Sequence, residues 1–188
     1  MANWLKHLIK SIFFMYNWDY WVLVLFLLAV SVIYIAIKNL IANKKISNSI
    51  IDISFVIYFC LMIYTALIDR NASTDSSGYC LIPFYSYYQF FNGNRDIMQQ
   101  SIMNIAFFYP FGFLLSCLDI EFIKKRKWLI AVFAFVFSFF IEALQYIFHL
   151  GYAEVDDVIH NTLGASIGTA MCVALDKIYD FIKIKLKR

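Results

Sequence analysis

Residues 137–168 read FSFFIEALQYIFHLGYAEVDDVIHNTLGASIG, and the polar residues in this apolar background keep helical spacing. Ser138, Glu142, Gln145 and His149 follow at intervals of four, three and four, which sets them in one stripe on a helix. Past a break at Gly151, Asp157, Asn161, Gly164 and Gly168 repeat the rhythm on a second apolar segment. Two neighbouring helices with polar or small-residue faces are the expectation. Glu142, near the middle of the first, is costly in lipid and should point into a bundle, toward a partner or a wet cavity.

The surrounding composition agrees with a bilayer as solvent. The chain has 188 residues, 62% of them hydrophobic and 20% aromatic, with a mean hydropathy of +0.69. A water-soluble domain so apolar would lack charge for its surface. Several runs reach the roughly 18 to 20 apolar residues that a hydrocarbon core of about 30 Å demands. The expectation is an all-α polytopic membrane bundle of about five transmembrane helices, one membrane domain over residues 1–188. The longest polar stretch, about residues 70–100, reads as a loop rather than a second fold. No basic patch with interleaved aromatics points to nucleic acid. Cys60, Cys117 and Cys172 fall in apolar runs and only Cys80 in a polar loop, so all four read as free thiols. The N-terminus lacks a signal peptide's short apolar core and cleavage site, and is expected to stay on.

Taken in order, residues 4–18 alternate Lys6, His7 and Lys10 with apolar residues and suit an interfacial helix. Spans are expected at about residues 20–37, 50–68, 101–118, 128–148 and 155–175. The aromatic run from Cys80 to Tyr88 should lie at the membrane surface or fold back into the bundle mouth. Pro110, in the third span, removes a backbone donor and frees a carbonyl. Basic residues gather at Lys38, Lys44 and Lys45, at Lys124 to Lys127, and in the tail from Lys177 to Arg188; the other loops hold Lys6, Lys10, Arg70 and Arg95. This asymmetry places the C-terminus in the cytoplasm and the N-terminus outside.

In that topology Glu142, Gln145, His149, Asp157 and Asn161 collect in the outward half of the bundle, with Arg70 and Asn104 at the same level. Such a set suits a polar headgroup or carbohydrate-like moiety above an apolar half that holds a lipid chain. Gly164, Gly168 and Ser138 fit plain helix packing, through amide bonds worth about 0.6 to 2 kcal/mol and small-xxx-small approach. Glu142 and Asp157 fit function better, because a buried charge is costly glue where an amide would serve. Either is the candidate catalytic acid or base, since desolvation disfavours the ionised form. His149, Glu154, Asp156 and His160 are close enough in sequence for a divalent cation, but Asp156 and His160 equally make an i, i+4 pair, and Asp156 and Asp157 suit a helix N-terminus on dipole grounds. No HExxH, nucleophile elbow or phosphate loop is present, so neither a metal nor a cofactor is expected.

Leu81, Ile82, Pro83 and Phe84, then Asn104 with Phe108, Pro110, Gly112 and Phe113, then Ser138, Glu142 and Gln145, and finally Asp156, Asp157, Asn161, Gly164 and Gly168 form an ordered series. It resembles the VanZ-like family of bacterial membrane proteins, over about residues 81–170. Arg70 also looks like a family position. The family often carries an Arg just before the acidic cluster, where this chain has Gly151, Tyr152 and Ala153, so a cation near Asp157 would have to come from Arg70 or Arg95. The resemblance implies a multi-pass protein of the cell membrane in a Gram-positive envelope, linked to resistance to the glycopeptide teicoplanin. The ligand-binding set is then Arg70, Asn104, Ser138, Glu142, Gln145, Asp156, Asp157 and Asn161. The expected function is binding of an outer-leaflet amphiphile, a lipid-linked envelope precursor or a lipoglycopeptide, with membrane lipids or such precursors as partners. An intramembrane enzyme acting on such a lipid through Glu142 or Asp157 is the alternative, and a small transporter the third reading.

Overall fold

The computed structural model describes residues 44–68, 78–94 and 96–186, together with Ala29 and Ile33. The expected interfacial helix and, apart from Ala29 and Ile33, the first span lie outside the described residues, as do Arg70 and Arg95. The described part is a bundle of membrane helices. Helix α1 (Lys44–Ile63) continues into a π-helical turn (Tyr64–Ile68), followed by strand β1 (Gly78–Cys80) and helix α2 (Tyr85–Phe91). Helices α3 (Asp96–Cys117), α4 (Glu121–Lys125) and α5 (Leu129–Ile147), strand β2 (Tyr152–Glu154) and helix α6 (Val155–Leu186) complete the order. Four segments are long and apolar enough to cross a membrane among the described residues: Asn48–Ile68, Asp96–Cys117, Leu129–Ile147 and Val155–Phe181. They match the last four expected spans, with α3 starting at Asp96 rather than Ser101, where the carboxylate complements the helix N-terminus.

The central contact is between α3 and α6, and it is made by residues without side chains. A methyl group added at Gly112 would lie 1.9 Å from the Ala165 carbonyl oxygen, one at Gly164 2.2 Å from that of Ile105, and one at Gly168 2.0 Å from that of Tyr109. The backbones meet directly, the close approach that small residues permit where lipid offers no hydrophobic drive. Thr169, beside Gly168, donates its hydroxyl to Ala165 O at 2.9 Å and reaches Gly112 O on the opposite helix at 3.2 Å.

Aromatic rings fill the space between α1, α3 and α5. Phe111, fully buried, lies 5.8 Å from Phe137, 5.9 Å from Phe133 and 6.3 Å from Phe59, each ring centroid to centroid. Pro110 leaves α3 unbroken but supplies no N–H to the carbonyl one turn back; at the adjacent position, Phe107 O accepts the Tyr58 hydroxyl at 2.6 Å. Outward faces carry Ile53, Val56, Phe135, Phe139, Phe140 and Phe181, all exposed, as lipid contact requires.

The stretch expected to be a loop is structured where it meets the α5–α6 connection. Gly78, Tyr79 and Cys80 pair in parallel with Tyr152, Ala153 and Glu154. Helix α2 then lies on the start of α6, with Ser86 buried beneath it and Phe84, Tyr88 and Phe91 exposed. The basic residues Lys124 to Lys127 sit at the other end of α5, where the Lys127 ammonium donates to Ser116 O in the last turn of α3.

Candidate functional site

The stripe on α5 turns inward as its spacing requires. Ser138, Glu142 and Gln145 are 0%, 7% and 2% exposed. His149 does not belong to it, because the helix ends at Ile147. His149 takes a left-handed backbone (φ 54°) and is exposed. Leu150 N bonds Gln145 O at 2.8 Å and His149 N bonds Tyr146 O at 3.3 Å, the paired bonds that close a helix C-terminus when one residue turns left-handed.

Glu142 and Gln145 from α5, Asp157 and Asn161 from α6, Asn104 from α3 and Thr65 with Ala66 from the π turn line one cavity of about 210 Å³. Phe107, Phe108, Met103 and Ile141 form its apolar wall. Four of the polar wall residues are held from behind. Gln145 donates its amide to Ala66 O at 3.0 Å, a carbonyl in the π turn, whose i→i+5 bonding alters the ladder as such turns commonly do at functional sites. Glu142 accepts the backbone N–H of Glu154 at 3.1 Å. Asp157 accepts the Gln100 side-chain amide at 3.1 Å, and Asn161 donates to the Ser138 hydroxyl at 2.8 Å. Ser138 therefore orients Asn161.

Two polar atoms of this wall are left over. Asn104 Nδ2, a donor, and Asn161 Oδ1, an acceptor, are buried without a hydrogen-bond partner. An unpaired buried amide atom costs about 1–3 kcal/mol, and both sit on residues that line the cavity. The site therefore offers one open donor, one open acceptor and two carboxylates in an apolar surround.

Asp156 is placed elsewhere. Its carboxylate accepts Phe84 N at 2.5 Å, Ser86 N at 2.8 Å and the Ser86 hydroxyl, so it anchors the first turn of α2. One turn on, buried His160 meets the Tyr87 hydroxyl at 3.0 Å through Nε2. At the sheet end, burial pushes the Glu154 carboxyl up to about 7, with Asp157 and Asp156 adding to the rise. Among the described residues no three His, Cys, Asp or Glu side chains gather as metal ligands, so His149, Glu154, Asp156 and His160 do not converge. Arg70 lies outside the described residues.

Thr65, Ala66 and Gln100 are cavity or supporting residues that the sequence reading passed over. Gln100 precedes Asn104 by four and so extends its stripe, a signal open to inspection; nothing local marks Ala66, whose backbone contributes.

The family model described as VanZ/LLP1 matches residues 55–176, more than half of the chain. The chain belongs to the VanZ/LLP1 family. The matched region spans every cavity-lining residue, including the π turn upstream of the motif series. A curated relative, Protein VanZ of Enterococcus faecium, is 36% identical over 72 residues, which are 37% of this chain and 42% of that protein. The matched stretch thus spans less than half the length of this VanZ relative. No solved structure matches the chain.

Proposed function

We propose that this VanZ/LLP1 protein sits in a bacterial envelope membrane and binds the polar end of an outer-leaflet amphiphile, a lipid-linked envelope precursor or a lipoglycopeptide, in the cavity between α3, α5 and α6. By doing so it alters susceptibility to glycopeptides of the teicoplanin type in a Gram-positive cell. The observation that carries this reading is the unpaired Asn104 donor and Asn161 acceptor beside Glu142 and Asp157 in an apolar bundle. Lipid tails cannot satisfy those atoms; a hydroxyl- or amide-bearing headgroup can. The basic run at residues 124–127 and the acidic connection at the opposite end of α5 support a cytoplasmic C-terminus and an outward-opening cavity.

Mass spectrometry of lipids that co-purify with the protein tests the reading. One enriched species is expected, depleted in Asn104→Leu and in Asn161→Leu. Equal lipid profiles in all three proteins overturn it. An impermeant maleimide applied outside the cell should label Cys80 and gain no further label on Lys125→Cys.

The burial of Glu142, 7% exposed, beside the cavity favours a second reading, an intramembrane enzyme that uses Glu142 or Asp157 as acid or base on a lipid-linked substrate. Glu142→Gln and Asp157→Asn separate the two. An enzyme would keep its lipid and lose turnover by orders of magnitude, leaving unmodified lipid bound, whereas a binding protein would show the same chemical species at altered occupancy.

A further inference from the structure

A second depression lies at the other end of the bundle and has the opposite chemistry. Phe55 and Phe59 of α1, Leu118 at the end of α3, Phe122 of α4 and Phe133 and Val136 of α5 are among the residues that bound a groove of about 610 Å³ with an apolar lining throughout. Its α5 wall, from Leu129 to Val136, extends about 10 Å along the helix axis at 1.5 Å per residue. Three candidate membrane spans supply Phe55 and Phe59, Leu115, and Leu129 to Val136, so hydrocarbon is the solvent that most of the groove meets.

The mouth of this groove is cationic. Arg126 holds its guanidinium 5.6 Å from the ring centroid of Phe122, a groove residue. Lys124 pairs with Asp119, and Lys125 stands 3.7 Å from Glu121. Among the described residues Arg126 has no carboxylate partner. An occupant must therefore be hydrocarbon within and anionic at its head. The planar fork of Arg126 suits two phosphate oxygens.

We infer that this groove is a binding site for an anionic membrane phospholipid, with an acyl chain between α1 and α5 and the phosphate on Arg126. The site is separate from the polar cavity and stands whether or not that cavity binds a headgroup. It selects a lipid by charge where the cavity selects by hydrogen bonding.

The test uses the full chain in nanodiscs of phosphatidylcholine carrying a trace of spin-labelled phosphatidylglycerol or spin-labelled phosphatidylcholine, with the motionally restricted fraction as readout. Phosphatidylglycerol should be favoured about fivefold, the effect of one basic residue at a membrane surface. Arg126→Gln, an exposed and fold-neutral change, should abolish the preference and leave total restricted lipid unchanged. Val136→Trp should fill the groove and lower the restricted fraction, whereas Phe140→Trp on the open lipid face should not. Equal restriction of both lipids by the wild-type protein overturns the inference, as does a preference that survives Arg126→Gln. A groove occupied by the chain's own N-terminal segment would show as no loss of restricted lipid in Val136→Trp, and that result overturns it too.

Discussion

Adding one methyl group to Gly168 should be among the most damaging substitutions available in this bundle. The new Cβ would stand 2.0 Å from Tyr109 O and 2.8 Å from Phe113 N, both backbone atoms of α3. No rotamer change relieves a clash with backbone, so α3 and α6 must separate by about 1 Å or more along the contact, in an interior that is otherwise close-packed. Overpacking typically costs about 1–3 kcal/mol; here the upper end applies, because Thr169 would also lose its reach to Gly112 O. A loss of about 3 kcal/mol is roughly a hundredfold in the unfolding equilibrium. The assay is reversible unfolding in mixed detergent micelles by SDS titration, with Ala170→Leu, exposed on the same helix, as a control expected within about 0.5 kcal/mol of wild type. Gly112→Ala should cost a similar amount, and the double variant less than the sum, since the first separation makes room for the second methyl. A Gly168→Ala protein with the wild-type midpoint would refute direct backbone contact between α3 and α6.

Three further outcomes follow from particular side chains. Glu154 holds its proton to about pH 7 when folded, against about 4.5 when unfolded, so stability should fall as pH rises between those values and level off above. Glu154→Gln should remove that slope and be more stable than wild type at pH 8 but not at pH 4, read from unfolding midpoints at the two pH values. Asp156→Asn keeps at most part of the acceptor set at Phe84 and Ser86 and should cost about 2 kcal/mol, seen as lost hydrogen-exchange protection confined to α2. His149→Gly relieves a left-handed non-glycine residue and should stabilise by about 0.5–1 kcal/mol in the same unfolding assay.

The inward stripe was legible because a helix in lipid must turn its few polar residues away from the tails. Ser138, Glu142 and Gln145 keep strict helical spacing and are all buried. His149 kept the spacing but not the helix, because spacing says nothing about where the backbone turns left-handed. Asp156 and Asp157 illustrate a finer limit. Neighbours on a helix point about 100° apart, so only one of the two can face the cavity. Asp157 shares that face with Asn161, and Asp156 shares the next with His160, toward α2. The cross-pairing of Gly78–Cys80 with Tyr152–Glu154 joins segments far apart in the chain, and no local pattern announces it. The groove beside Arg126 was invisible for a related reason: its walls come from four helices whose apolar residues look like any others exposed to lipid.

The π turn at Tyr64–Ile68 holds one more residue than an α-helix would fit in the same rise. Deleting a single residue there would let an ordinary helix form and would re-aim the carbonyls of the turn itself. Ala66 would swing its carbonyl away from Gln145 while the ring stack around Phe59 stayed where it is. The length of this one turn is therefore a phase setting between the aromatic half of α1 and the cavity above it, and chains that differ by one residue here would present different walls to whatever enters.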